Sequence, residues 1–96
     1  MKPIRVNVTA RDCKLGKKGS ACECPIARAL SRKFKTFVAV TKEFANVGPA
    51  GPTIGLDEAL GALVVRFDQG NGMKPFKFTV RRFEADVQNY LHAELG

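Results

Sequence analysis

Three cysteines, Cys13, Cys22 and Cys24, stand in the spacing C-x8-C-x-C. Thiolates are good zinc ligands, and the only histidine, His92, would complete a Cys3His set. The spacing argues against it. In a zinc knuckle two residues separate paired cysteines, so that both thiolates meet one metal across a tight turn. Here one residue separates Cys22 from Cys24, and His92 lies far along the chain. Small side chains in a loop and at a helix cap are the simpler reading, and neither a metal nor another cofactor is expected. A second chemistry is thiol redox. Cys22 and Cys24 can be drawn as a strained bridge, and Cys24 at a helix N-terminus is expected to have a lowered pKa.

Between the cysteines runs Gly16-Lys17-Lys18-Gly19-Ser20. A nucleotide-binding Walker loop has four residues between its glycines and opens a helix with Gly-Lys-Ser or Gly-Lys-Thr. This segment has two residues between glycines and then Ser-Ala-Cys-Glu-Cys, so nucleotide hydrolysis is not expected. Two lysines close to a helix N-terminus suit general anion attraction better.

Charge is unevenly spread. Residues 1–42 hold 11 Lys or Arg against 2 acidic residues, and residues 43–96 hold 5 against 7. Arg28, Arg32 and Lys35 follow at i, i+4 and i+7 and form a stripe on one helix, with Lys33 near its C-terminus, where the helix dipole favours cations. With Lys14, Lys17 and Lys18 they make an expected footprint for phosphates or for an acidic protein face. Catalysis finds little support: no Ser or Cys stands in a nucleophile motif, and one histidine cannot fill several roles. The protein is therefore expected not to be an enzyme.

The elements that position these residues follow from hydrophobic spacing. Ile4, Val6 and Val8 alternate with Arg5, Asn7 and Thr9, the pattern of a half-buried strand. Residues 11–23 lose periodicity and read as a loop. Cys24 then precedes Pro25, which suits the first helical position because its missing N–H has no partner there. Ile26, Leu30 and Phe34, with Ala27 beside them, form one apolar stripe. Phe37 to Val40 is a short β-prone run that Glu43 to Val47 continues or returns. Gly48-Pro49-Ala50-Gly51-Pro52 breaks both helix and sheet and reads as a loop. Leu56, Leu60, Leu63, Val64 and Phe67 predict a second helix, begun by Asp57 and Glu58 and stopped by Gly70 and Gly72. Pro75 begins a strand with Phe76, Phe78 and Val80 facing in and Lys77 and Thr79 facing out. Phe83, Val87, Tyr90, Leu91 and Leu95 predict a third helix at about 82–95.

The expected fold is thus α+β, in the order β-α-β(β)-α-β-α, with a three- or four-stranded sheet and helices packed on it. Its 96 residues, 45% hydrophobic and 26% charged, suit one domain with one core. No run approaches the roughly 18 apolar residues of a membrane span. The first residues lack the apolar block of a signal peptide. An odd cysteine number also argues against a secreted disulfide framework, so a cytoplasmic location is expected.

Taken in order, Cys24-Pro25-Ile26-Ala27-Arg28-Ala29-Leu30, Phe67-Asp68-x-Gly70 and Pro75-Phe76-Lys77-Phe78 resemble a group of small bacteriophage- and prophage-encoded proteins. In that group a Cys-Pro-Ile/Val-Ala helix start precedes a Phe-Asp-x-Gly turn and a Pro-Phe-x-Phe strand. The resemblance covers roughly residues 3–80, with 81–96 looking like an addition. It transfers no functional residues. It implies an accessory phage-type protein, acting by stoichiometric binding in the host cytoplasm. Nucleic acid is the first expected partner, and an acidic protein of a host defence or transcription complex the second. A homodimer through Phe83, Tyr90 and Leu91 is compatible with the sequence.

Overall fold

The structure, a computed structural model, describes residues 3–49 and 51–80. The fold is α+β. Among the described residues the order is β1 (Ile4–Val8), α1 (Ala10–Leu15), α2 (Pro25–Phe34), β2 (Val38–Val40), β3 (Phe44–Val47), β4 (Thr53–Gly55), α3 (Glu58–Asp68) and β5 (Phe76–Val80). The expected helix at 82–95 lies outside the described residues.

The single expected sheet is corrected to two. β1 pairs with β5 antiparallel, with Ile4 opposite Val80, Val6 opposite Phe78 and Val8 opposite Phe76. β2, β3 and β4 form a separate antiparallel meander. Helix α2 packs against strands of both sheets, β1 on one side and β2 and β3 on the other. Ile26, Ala27, Ala29 and Leu30 are accordingly at most 1% exposed. Apolar residues on nearly three sides of a helix signal that it lies between layers. The stripe read from Ile26, Leu30 and Phe34 covers only part of that surface.

The reading of 11–23 as loop is corrected at its start. Thr9 and Asp12 form a capping box: the Thr9 hydroxyl accepts from the Asp12 N–H at 3.2 Å, and the Asp12 carboxylate accepts from the Thr9 N–H at 3.0 Å. Reciprocal capping satisfies two orphan donors and stabilises a helix too short to show periodicity. The T-x-x-D signature was present in the sequence, with Asp in place of the usual Glu. The expected start of α2 holds, because Pro25 is its first residue and the Cys24 sulfur accepts from the Ala27 N–H at 3.4 Å.

The Gly48–Pro52 breaker joins β3 to β4, with the Val47 N–H donating to the Pro52 carbonyl at 3.0 Å. Strand β4 has no counterpart in the sequence reading; its three residues are too few to display alternation. Helix α3 begins with the Asp57 carboxylate accepting from the Leu60 N–H at 2.8 Å. It ends at Gly70, whose φ of 89° lies in the region that L-residues avoid. Phe76 and Phe78 pack their rings 5.9 Å apart, half-buried against the core.

Gly61 sets how closely α3 approaches the β2–β3 turn, since a Cβ at this position would overlap the Lys42 carbonyl oxygen. Alanine is about 1 kcal/mol better than glycine inside a helix, yet steric overlap with backbone reverses the sign. The Gly61→Ala variant is expected to lose roughly 1–3 kcal/mol of stability in urea unfolding. An unchanged or raised midpoint would show that α3 has room to retreat.

Candidate basic interface

Asp12 is the one buried charged residue among those described, at 1% exposure. Arg32 grips it with two bonds, Nη1 donating to Oδ1 at 2.9 Å and Nη2 to Oδ2 at 2.7 Å. The same Nη2 donates to the Asn7 carbonyl at 3.0 Å. Arg28, one turn earlier on α2, places Nε 3.6 Å from Oδ1. That atom is buried and makes no hydrogen bond, so its attraction to Asp12 is a matter of charge alone. Arg28 and Arg32 of the expected stripe therefore lie side by side and lock α1 and β1 onto α2. A planar guanidinium suits this task because it meets both carboxylate oxygens at once.

The remaining expected residues fall in three places. Lys17 pairs with Glu23 at 3.3 Å, and both side chains are exposed. Lys18 lies near Gly70 at the end of α3. The Gly19 N–H beside it donates to the Asp68 carboxylate at 2.9 Å, which pins this loop to α3. Lys14 is exposed in the last turn of α1, next to Arg11 and the exposed Leu15. Lys33 and Lys35 are exposed at the C-terminal end of α2. Lys33 follows Arg32 directly, so it projects about 100° around the helix from the Arg28–Arg32 side.

Lys35 has φ 58° and ψ 34°, the left-handed cap conformation that glycine usually takes. Just beyond it, Phe37, the first residue of the β-prone run 37–40, is 55% exposed. The outer face of the β1–β5 ribbon was not among the expected binding residues. Arg5, Asn7 and Lys77 are exposed there, opposite the buried Val6 and Val8. Strand alternation turns each of them outward, and the pairing register, which local spacing does not reveal, brings them onto one face.

The cysteines do not converge. Cys13, Cys22 and Cys24 are all free thiols, and among the described residues no group of three Cys, His, Asp or Glu side chains is placed to hold a metal ion. The expected low pKa of Cys24 is corrected. Burial at 2% exposure pushes the thiol up, outweighing the N–H groups at the helix start that pull it down. Burial also raises Cys13, followed by the nearby Asp12 charge.

Beside α3 an apolar groove of about 890 Å³ is lined by Phe44, Leu56, Leu60, Val65 and Phe78, with Lys42, Glu43, Asp57 and Glu58 among its polar neighbours. None of the expected basic residues lines it. No helix among the described residues is long and apolar enough to cross a membrane. Comparison with protein families, curated proteins and solved structures returned no match.

The Arg32 hydrogen bonds hold the Asp12 carboxyl down at about 2, against an ordinary 3.8, despite the opposing effect of burial. A carboxyl with a lowered folded-state pKa contributes stability above its unfolded value and loses it as pH falls toward the folded one. A shift of this size contributes on the order of 2 kcal/mol, lost between roughly pH 4 and pH 2. The stability difference between the wild type and Asp12→Asn should narrow by about that amount from pH 5 to pH 2. A constant difference across this range would disprove the assignment.

Proposed function

We propose that this chain is a non-enzymatic accessory protein that docks a basic face on nucleic-acid phosphates. The supporting observation is where the carboxylates of the basic half go. Residues 1–42 contain two, Asp12 and Glu23. Asp12 is internal beneath Arg28 and Arg32, and Glu23 is engaged by Lys17. Arg11, Lys14, Lys18, Lys33 and Lys35 are exposed, with no carboxylate among the described residues in ion-pair reach. Cations in this state attract condensed phosphates and gain free energy by releasing the counterions of the polymer. The resemblance to phage-type accessory proteins points the same way, toward stoichiometric binding.

Arg28 and Arg32 add to these cations, and Arg32 remains half-exposed while holding Asp12. They are poor reporters of binding, because removing either leaves a buried carboxylate short of a partner. Lys33 and Lys35 are better, since neither holds the fold through a side-chain bond among the described residues.

Fluorescence anisotropy with a labelled duplex tests the proposal. If about five phosphates are neutralised, affinity should fall roughly 10²–10³-fold between about 50 and 200 mM salt. Absence of binding to DNA and RNA at low salt would overturn it and favour an acidic protein as partner. Lys33→Gln should reduce the log–log salt slope by about 1. Lys35→Gly should reduce it equally while raising stability by about 0.5–1 kcal/mol, because glycine removes the left-handed strain at the α2 cap. Parallel loss of stability and affinity in Lys35→Gly would instead mark the residue as structural.

A further inference from the structure

The β1–β5 pair is a two-stranded antiparallel ribbon whose two faces differ completely. One face carries Val6, Val8 and Val80 into the core. The other carries Arg5 and Asn7 from β1 and Lys77 and Thr79 from β5. The register sets Arg5 opposite Thr79 and Asn7 opposite Lys77, so the two cations lie on a diagonal with the amide beside one of them. Arg5, Asn7 and Lys77 are exposed, and neither strand contributes an acidic side chain.

The ribbon is tied to the basic helical layer through its backbone. Arg32 donates to the Asn7 carbonyl while gripping Asp12. One guanidinium therefore fixes the Asn7 end of the ribbon relative to α1 and α2. An attached duplex would meet the ribbon and the helical cations in one rigid arrangement.

Building on the nucleic-acid reading above, we infer that the β1–β5 ribbon enters the major groove of duplex DNA while the helical cations hold the flanking phosphates. Charge complementarity favours this occupant, and dimensions allow it. The major groove of B-form DNA is ~12 Å wide and admits a two-stranded ribbon. Arginine and asparagine are the side chains whose paired hydrogen-bonding groups match the groove edges of guanine and adenine. The groove of an A-form RNA duplex is too narrow and deep for the same approach.

The test compares two DNA duplexes of one sequence at fixed low salt. One is unmodified; in the other every cytosine carries a glucosylated 5-hydroxymethyl group, which fills the major groove and leaves the phosphates unchanged. The wild type should bind the blocked duplex about 10-fold or more weakly. The double variant Arg5→Thr, Lys77→Thr keeps strand propensity and removes the two cations. It should bind the unmodified duplex more weakly and lose the discrimination. Equal wild-type affinity for both duplexes would overturn the ribbon assignment while leaving phosphate docking intact. Binding to neither duplex would overturn both.

Discussion

One buried carboxylate organises the first half of this protein. Asp12 closes the capping box that makes α1 a helix, and its outer oxygens receive Arg32 and attract Arg28 from α2. Arg32 then reaches the backbone of β1 at Asn7. Burying an ion is costly unless its hydrogen bonds are satisfied nearly completely. Here the backbone N–H of Thr9 and two guanidinium donors meet that demand. The same network fixes three elements at once, since it joins α1, α2 and β1 through one carboxylate and one guanidinium.

Satisfying Asp12 internally also shapes the surface. A carboxylate placed among exposed lysines would neutralise them locally and weaken any long-range field. Held beneath two arginines, it leaves the outer cations without such compensation. Among the described acidic residues of the second half, Glu43, Asp57 and Glu58 lie beside the apolar groove and Asp68 holds the glycine-rich loop. The cations of the first half are set around a sandwiched helix, α2, whose apolar sides hold two small sheets together.

Much of the scaffold was legible in the residues themselves. Cys24-Pro25 marks a helix start because proline lacks the N–H that this position does not need, and Gly70 marks an end because it alone enters the left-handed region easily. Alternation in Ile4–Val8 and periodicity in Leu56–Phe67 identify a strand and a helix through local spacing. The brief elements escaped notice. Helix α1 and strand β4 are shorter than the window over which a period can be counted. The candidate interface was half legible: the lysines were found, while Arg28 and Arg32 gained a structural task, and the outward residues of β1 and β5 were read strand by strand without the pairing that joins them.

By itself, then, the sequence determined the inward face of β1, where two of the helices begin and end, and that the cations crowd into the first 42 positions. Those are properties of near neighbours along the chain. Tertiary structure alone decided that β1 pairs with β5 across the full described length, splitting one expected sheet into two. It alone decided that Arg32 meets Asp12 and that Cys24 is buried deeply enough to push its thiol up. Each outcome depends on contacts between distant segments and on how much water they exclude. No spacing rule along a single chain encodes either quantity.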